Sequence, residues 1–298
     1  MNKKIVIAGG TGFVGKYLTT RFCNLGYQVI IISRQKENIQ WNDAAGIIDA
    51  LENSEMLINL AGKSVDCRYN EKNKKEILKS RTETTKALGE AVLKCINPPE
   101  LWINSSTATI YRHAEDRPMT ESTGEIGDGF SVQVATSWEK SFFSFKLPNT
   151  RQVALRIAIV LGKDGGAMKP FINLVRFGLG GMQGNGKQMF SWIHIEDLAS
   201  IISFLQSRQD LKGAFNCSAP NPIDNKTQMK TFRQVMKVKI GLPSPAWLLA
   251  IGAFIIKTEP ELILKSRWVV PEKLLSEGYT FKFPTLETAL KDLLNNEQ

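Results

Sequence analysis

The sequence is poor in the residues that most often hold metals or cross-link a chain. It has two histidines and four cysteines in 298 residues. His113 and His194 are far apart and lack the spacing of zinc ligands. No Cys-x-x-Cys pair is present, and scattered cysteines of this kind predict reduced core thiols rather than a disulfide framework. We therefore expect no metal site and no disulfide.

Long hydrophobic runs are also missing. The longest, Ala246 to Ile256, is about half the ~20 residues needed to cross a bilayer. It follows Pro243 and Pro245 and predicts a buried helix, with an interfacial membrane helix as the alternative. Lys3 and Lys4 lead directly into a short apolar run, which is not the pattern of a secretory signal. We expect a cytoplasmic protein that does not bind membranes.

The excess of positive charge is not accompanied by signs of nucleic-acid binding. The net charge is +9, with basic residues concentrated between Lys72 and Lys94 and between Lys226 and Lys239. Interleaved exposed aromatics and known nucleic-acid modules are absent, so we expect no nucleic-acid partner. The charge indicates solvated helix faces, and the alternative is attraction for phosphate-bearing ligands.

Alternating strand and helix patterns fill the first two-thirds of the chain. The predicted strands are Lys4–Ala8, Gln28–Ser33, Met56–Leu60, Leu101–Ser105 and Arg151–Leu161. The predicted helices are Phe13–Leu25, roughly Glu71–Lys94, and Val132–Phe145. Repeated strand–helix–strand order with these lengths predicts an α/β fold with a Rossmann-like, doubly wound parallel sheet.

The pattern changes after Leu161. Residues Gly162 to Gly186 are rich in glycine, and Phe190 to Leu205 has the pattern of a strand and a helix returning to the sheet. From Pro220 the chain is mainly helical, ending in an amphipathic helix near Leu286 to Leu294. We predict a Rossmann domain of residues 1–161 and 190–217. Residues 162–189 and 218–298 would form a smaller, mainly helical C-terminal region on the substrate side.

A glycine-rich turn follows the first predicted strand. Glycines at 9, 12 and 15 occur where a Rossmann fold needs a tight turn, a close backbone approach to a pyrophosphate, and close packing of helix on sheet. A plain strand–turn–helix junction is the alternative. Because a second strand follows the helix, the context favours a dinucleotide site. The residues expected to contact it here are Gly9, Gly10, Thr11, Gly12, Phe13 and Val14.

The end of the second strand indicates which dinucleotide is bound. An NAD site usually has an acidic residue there, whereas this chain has Ser33 and Arg34. Arg34 can make charge-assisted hydrogen bonds with a 2′-phosphate, and no acid is present to repel that phosphate. The alternative is that Arg34 is only a surface cation. We expect NADP(H) rather than NAD.

Several ordered motifs together resemble a known family. They are the glycine turn, Asn59-Leu60-Ala61-Gly62, Lys79-Ser80-Arg81, Ser105 to Tyr111 (SSTATIY), Ser137-Trp138-Glu139, Leu155 to Gly166 (LRIAIVLGKDGG), Phe177 to Gly181 (FGLGG), Ser191 to His194 (SWIH), Pro271 to Leu274 (PEKL) and Gly278 to Phe281 (GYTF). The sequence resembles the extended short-chain dehydrogenases/reductases, which include nucleotide-sugar epimerases and dehydratases. More narrowly, it is similar to the atypical branch usually called epimerase family protein, over nearly the whole chain.

The resemblance implies roles for particular residues. Asn59 to Gly62, including Leu60, Ala61 and Gly62, would run under the adenine and ribose side of the cofactor, and Arg81 would lie near the nicotinamide end. The alternative for Asn59 to Gly62 is a simple exit from a strand into a loop. Thr107 falls on the family's catalytic serine, whose hydroxyl bonds the substrate oxygen. The alternative for Thr107 is a strand-end or capping hydroxyl.

The family's Tyr-x-x-x-Lys pair is missing. Lysine and the cationic nicotinamide lower the pKa of that tyrosine so that it exchanges a proton while hydride moves. Here Phe130 and Val134 take the two places, and an alignment one residue later gives Ser131 and Ala135. None of the four supports the usual chemistry.

Other residues are candidates for the missing role. Tyr111 is predicted as catalytic together with Thr107. Glu139 is a further acid or base, although it is more typical of a helix brace. His113 and Tyr69 are weaker candidates, and Lys63, Arg68 and Arg176 are candidate anion partners. His194 and Asp197 are expected to be scaffold residues, and Trp192 is expected to be buried.

Two functions are consistent with these features. The first is an NADP(H)-dependent oxidoreductase or epimerase acting on a small, anionic or nucleotide-linked substrate at the carboxyl ends of the strands. The second is an NADP(H)-binding sensor or regulatory protein without turnover, which the missing pair suggests. The sequence is also compatible with a homodimer.

Overall fold

The computed structural model describes residues 3–245 and 265–294, so the helix predicted over Ala246–Ile256 lies outside the described residues. The described strands are β1 (Lys4–Ala8), β2 (Gln28–Ser33), β3 (Ile39–Gln40), β4 (Met56–Asn59), β5 (Leu101–Thr107), β6 (Arg151–Ile157), β7 (Ile159–Gly162), β8 (Gly165–Gly166), β9 (Met189–Phe190), β10 (Trp192–His194), β11 (Gly213–Cys217) and β12 (Ile223–Asp224). The described helices are α1 (Phe13–Asn24), α2 (Ala44–Leu51), α3 (Glu71–Val92), α4 (Phe130–Phe143), α5 (Met168–Arg176), α6 (Ile195–Ser207), α7 (Asn225–Val235), α8 (Glu272–Ser276) and α9 (Leu286–Leu294).

The main sheet has seven strands in the order β11-β6-β5-β4-β1-β2-β3. Every neighbouring pair in it is parallel. The chain runs outward from β1 to β3 and then returns to the other side of β1 at β4, so the direction of winding reverses between β1 and β4. This is the topology of a doubly wound Rossmann sheet, and the predicted fold class is confirmed.

Alternating side chains of β1 supply two hydrophobic cores. Ile5 and Ile7 are fully buried on one face, where helices α1 and α6 pack. Val6 and Ala8 are buried on the other face, against α2, α3 and α4. Because successive side chains of a strand point to opposite faces, one short apolar run can serve both helical layers.

The prediction of one strand over Arg151–Leu161 is wrong. Strand β6 ends at Ile157 and belongs to the main sheet, whereas β7 pairs in parallel with β10 in a separate three-stranded sheet. The backbone N–H of Ala158 still donates to Cys217, but that of Ile159 donates to Ser191. The chain therefore changes hydrogen-bonding partners at Ala158, although its apolar character does not change there.

The segment Phe190–Leu205 does not return to the main sheet as predicted. Its strand β10 pairs with β7, and the chain rejoins the main sheet only at β11. Helix α6 does pack beneath the main sheet, through Leu198, Ile201 and Ile202. Trp192 is fully buried, as expected.

Residues after Gly162 build a further core beside the main sheet. Phe190, Trp192, Phe232, Phe283 and Leu290 pack together there, and α9 has the bounds that its amphipathic pattern predicts. Asp197 accepts the backbone N–H groups of Lys282 and Phe283, and His194 caps α6. Both behave as scaffold residues.

Three further expectations concern metals, membranes and cysteines. Within residues 3–245 and 265–294, no helix is long and apolar enough to cross a bilayer. The same residues contain no cluster of three or more metal-ligating side chains. The four cysteines are all free, as predicted, but only Cys217 lies in the core, and Cys23 is exposed.

Candidate functional site

The glycine turn is closed by backbone contacts that exclude side chains. Gly9 has a φ of +80°, and a Cβ placed on it would lie 2.8 Å from the backbone nitrogen of Ala61. A Cβ on Gly15 would lie 2.6 Å from the Cα of Gly10. Gly12 precedes α1 in extended conformation, and no side chain caps that helix. The cradle fits a pyrophosphate bound by backbone N–H groups at a helix N-terminus.

Phe13 anchors the start of α1 to the β7–β8 turn. Its ring carbons would lie 2.7 Å from a Cβ on Gly162 and 2.6 Å from one on Gly165. A Cβ on Gly166, whose φ is +68°, would lie 3.1 Å from the same ring and 2.6 Å from the carbonyl oxygen of Val160. The glycine-rich stretch that follows Leu161 therefore packs against an aromatic side chain at the end of the glycine turn.

Ser33 and Arg34 lie at the end of β2, beside the glycine turn. Ser33 is buried, and its hydroxyl accepts hydrogen bonds from the N–H of Gln35 and the side chain of Asn38, at 3.0 Å and 3.1 Å. Arg34 is exposed. The serine shapes the turn, and the arginine extends from it as a cation at the carboxyl edge of the sheet.

The Asn59–Gly62 segment is held by buried amides. The side-chain amide of Asn59 donates to Thr85 at 3.1 Å and to Asn104 at 2.7 Å, and its Oδ1 accepts the N–H of Ala61 at 3.0 Å. This network fixes the turn that faces Gly9. Gly62 in turn leaves room for Arg81, whose Cζ would lie 3.0 Å from a Cβ at that position.

A cavity of about 330 Å³ opens at the carboxyl ends of β4 and β5. Helix α4 and the segment that leads into α3 form its walls. It is lined by Leu60, Gly62, Lys63, Ser64, Val65, Tyr69, Ile77, Arg81, Ser105, Ser106, Thr107, Thr109, Phe130, Ser131, Val134 and Trp138. Leu60, Gly62, Arg81 and Thr107 are thus brought together, while Tyr111 is not among the lining residues.

Arg81 is the charged centre of this cavity. Its Nη1 donates to the carbonyls of Lys63 and Ile77 at 3.1 Å and 3.0 Å, and its Cζ lies 5.1 Å from the centre of the Trp138 ring. Within the described residues it forms no salt bridge. Burial lowers the pKa of Arg81 to about 10, and the charge of Tyr69 acts in the opposite direction. A cation in this setting is suited to an anion or an electron-rich oxygen.

Thr107 ends β5 at the cavity wall. Its hydroxyl donates to Thr109 Oγ1 at 2.9 Å and accepts the Thr109 N–H at 3.2 Å. It therefore caps a short 3₁₀ turn while still lining the cavity. Both alternatives considered for Thr107, a capping hydroxyl and a substrate contact, are compatible with this position.

Helix α4 presents Phe130, Ser131 and Val134 to the cavity. Phe130 and Val134, which the resemblance aligns with the family's tyrosine and lysine, thus both line the cavity, and neither side chain has a transferable proton. Ala135 belongs to a buried apolar cluster instead.

Tyr111 lies behind the site in a buried network. Its hydroxyl donates to Asn216 at 2.9 Å and accepts from Arg156 at 2.8 Å. Glu139 pairs with Arg156, with its Oε2 2.8 Å from Nη2, and accepts the hydroxyl of Ser106 at 2.6 Å. Burial raises the pKa of Tyr111. The structure gives Tyr111 no contact with the cavity, and Glu139 braces α4 against β6.

The remaining candidates occupy varied positions. Lys63 lines the cavity, but its ammonium group pairs with Glu76 at 2.5 Å and bonds Asn73 at 2.8 Å. Arg68 and Arg176 are not among the lining residues. His113 accepts the backbone N–H of Ser266.

Tyr69, a weak candidate on sequence grounds, does reach the cavity. Its ring meets that of Phe130 edge-on, with centroids 5.0 Å apart. No local pattern around Tyr69 indicates this position. The signal available in the sequence is a tyrosine in the loop before α3, combined with the loss of tyrosine from α4.

Two family models match the chain. Residues 5–136 match the model of the NAD dependent epimerase/dehydratase family. Residues 244–293 match a domain of unknown function, DUF1731.

Full-length relatives were also found. The epimerase family protein SDR39U1 of Homo sapiens is 33% identical and covers 98% of this chain and 99% of its own length. The epimerase family protein YfhF of Bacillus subtilis is 33% identical, with 97% of each chain covered. A crystal structure of human SDR39U1 with NADPH matches with a TM-score of 0.88 and 32% identity, over 98% of this chain and 99% of that one.

Proposed function

The chain belongs to the epimerase family proteins, and from this premise we propose that it binds NADP(H) and uses it in a redox reaction on a small carbonyl or alcohol substrate. The observation that carries the proposal is the placement of the glycine turn, Arg34 and the cavity along one carboxyl edge of the sheet. Ligands of doubly wound sheets bind at this edge, beside the point where the winding reverses. That human SDR39U1 was crystallised with NADPH supports the choice of cofactor.

Each group at the carboxyl ends of the strands has a role in this proposal. The backbone N–H groups of Gly10, Thr11, Phe13 and Val14 hold the pyrophosphate, because those of Gly9 and Gly12 already donate to the carbonyls of Ile32 and Gly9. Gly9 and Gly12 contribute the tight turn and the close backbone approach. Arg34 holds the 2′-phosphate, and the turn shaped by Ser33 directs it there. Leu60, Ala61 and Gly62 run beneath the adenine and ribose side. When bound, the cofactor supplies or accepts a hydride.

The cavity receives the substrate in this proposal. Thr107 offers a hydroxyl to the reacting oxygen, and Arg81 offers a positive charge near the nicotinamide end. The substrate-side region is formed by the described parts of residues 162–189 and 218–298. Two observations support this: the region has its own hydrophobic core, and the β7–β8 turn packs against the ring of Phe13.

Replacing Arg34 by alanine is expected to weaken NADPH binding while leaving NADH binding unchanged. Charge-assisted hydrogen bonds to the 2′-phosphate contribute about 1.5–3 kcal/mol, which corresponds to about 10- to 100-fold in affinity. Calorimetric titration of both cofactors measures the difference. Lys94→Ala removes an exposed cation beyond the end of α3 and should change neither affinity. Equal loss of NADPH and NADH affinity in Arg34→Ala would contradict the assigned role.

Transfer of hydride distinguishes an enzyme from a sensor. Phe130 and Val134 on the cavity wall favour the alternative that the protein binds NADP(H) without turnover. NADPH carrying deuterium at C4 is incubated with the protein and a panel of aldehydes, ketones and oxoacids. Mass spectrometry then follows the label. Label in an alcohol product supports the enzyme, and tight binding with no label in any product supports the sensor.

A further inference from the structure

Among the lining residues of the cavity that the structure describes, one ionisable group can act as a proton donor of suitable strength. Among its lining residues in the described part of the chain, the ionisable side chains are Lys63, Tyr69 and Arg81. Lys63 is already paired with Glu76, and a guanidinium holds its proton too tightly to release it. Serine and threonine hydroxyls are much weaker acids than a phenol, whose ordinary pKa is about 10. Tyr69 is the remaining donor.

Tyr69 lies beside the position on α4 where the family's tyrosine is expected and this chain has Phe130. Its ring contacts Phe130 edge-on at 5.0 Å between centroids and at 68° between planes. Phe130 opens helix α4 and lines the same cavity as Thr107. A phenol therefore enters the site from the loop before α3, beside the position where α4 itself carries a phenyl ring.

Arg81 supplies the charge that a phenol needs in order to release a proton. Its guanidinium is held by two backbone carbonyls, which orient it without neutralising it. Ionised Tyr69 raises the pKa of Arg81 against the larger effect of burial. Such coupling is mutual, so protonated Arg81 stabilises the phenolate of Tyr69 to the same extent.

We propose that Tyr69 is the catalytic acid and base of this protein and that Arg81 is its positioning and charge-supplying residue. The proposal depends on the function proposed above. In the reductive direction, hydride adds to the carbonyl carbon and the π electron pair moves to oxygen. The Tyr69 hydroxyl gives its proton to that oxygen, the alcohol forms, and the phenolate is held by Arg81 until solvent returns a proton. Oxidation reverses each step.

The first arm of the test measures turnover with a carbonyl substrate found by label transfer. Tyr69→Phe is expected to lower kcat by about 10²- to 10⁴-fold, with KM and NADPH affinity nearly unchanged. The wild-type rate of reduction should fall at alkaline pH as the phenol ionises. In Tyr69→Phe this alkaline decrease in rate should be absent. Tyr27→Phe is the matched control: its hydroxyl bonds Gln206, remote from the cavity, and turnover should be unaffected.

The second arm reads the phenol directly in the cofactor-free protein. With tyrosine labelled at Cζ with ¹³C, five resonances are expected from the five tyrosines, and Tyr69→Phe identifies the one from Tyr69. Its titration midpoint should lie higher in Arg81→Met than in the wild type and return in Arg81→Lys, which restores the charge. Thermal unfolding verifies that each variant is folded. A purely structural role of Arg81 would not move this midpoint.

The outcomes separate the two proposals. Normal turnover in Tyr69→Phe overturns the role of Tyr69 and leaves the proposed function intact. If the Tyr69 phenol titrates with the same midpoint in the wild type and in Arg81→Met, the proposal that Arg81 stabilises the Tyr69 phenolate is overturned. A rise in KM alone in Arg81→Met, with kcat and the midpoint unchanged, would make Arg81 a substrate anchor and also overturns it. Absence of hydride transfer in the wild type overturns the proposed function together with the catalytic role.

Discussion

Replacing Glu139 by alanine is expected to lower the free energy of unfolding by about 3–5 kcal/mol. Glu139 and Arg156 form a two-contact ion pair whose side chains are only 11% and 13% exposed. Burial alone lowers the pKa of Arg156, but the hydrogen bonds and charge of Glu139 raise it overall. Without Glu139 the guanidinium remains charged and buried, with no other salt-bridge partner among the residues that the structure describes.

The structural effect of Glu139→Ala should extend to the cavity wall near Thr107. Ser106, which donates to Glu139, immediately precedes Thr107 on β5. Arg156 also holds the Tyr111 hydroxyl, so the network joins α4, β5 and β6 behind the cavity. We therefore expect Glu139→Ala to reduce turnover as well as stability, because the strand end that carries Thr107 loses its support.

Urea unfolding followed by tryptophan fluorescence measures the first effect. Glu90→Ala is the matched control, since Glu90 pairs with Lys86 on the exposed face of α3 at 3.7 Å, and it should cost no more than about 1 kcal/mol. In the double variant Glu139→Leu/Arg156→Met, most of the stability should return because no unpaired charge remains. Equal losses in Glu139→Ala and Glu90→Ala would show that the buried pair contributes little.

Gly9→Ala is expected to damage both stability and cofactor binding. A left-handed backbone costs an L-residue about 1–2 kcal/mol, and the new Cβ would also overlap Ala61 N at 2.8 Å and Leu60 C at 2.9 Å. The turn must then move away from β4. We expect NADPH affinity to fall by at least about tenfold, equivalent to ~1.4 kcal/mol, because the backbone N–H groups lose their alignment with the pyrophosphate.

Gly26 offers a control with the same backbone strain but no overlap. Its φ is +84°, and nothing lies within 4 Å of a Cβ placed on it. Gly26→Ala should therefore show only the conformational cost and retain full NADPH affinity. Calorimetry and urea unfolding on both variants separate the two contributions. Similar affinities in Gly9→Ala and the wild type would remove the glycine turn from the proposed binding site.

Local sequence patterns predicted the elements whose partners are also local. The glycine turn, α1 and β2 follow from apolar spacing and from Gly26, and the structure agrees with all three. The strand over Arg151–Leu161 was wrong because periodicity shows that residues are extended and apolar but not which strand they pair with. The change of sheet at Ala158 depends on Cys217 and Ser191, which are distant in sequence.

The same distinction applies to the candidate site. Thr107 and Arg81 were predicted from motifs, and the structure brings both to one cavity. Tyr111 was predicted from its position after β5, but its hydroxyl turns toward Asn216, on a strand 105 residues later. Tyr69 reaches the cavity only because the loop before α3 folds over α4. Tertiary contacts of this kind leave no periodic trace in the sequence.

The packing of the Phe13 ring against the β7–β8 turn makes positions 13, 162 and 165 interdependent in evolution. Gly162 and Gly165 have ordinary backbone angles, so it is mainly the ring of Phe13 that leaves no room for a side chain there, with Ile195 Cγ2 also 3.2 Å from a Cβ on Gly162. A smaller residue at position 13 would remove the main obstacle to alanine at both sites, leaving the Ile195 contact at Gly162. Gly166 would stay fixed by its φ of +68° and by the carbonyl oxygen of Val160, 2.6 Å from a Cβ placed on it. Substitutions at 13, 162 and 165 should therefore occur together in related lineages, and drift in the β7–β8 turn is constrained by the loop that begins α1.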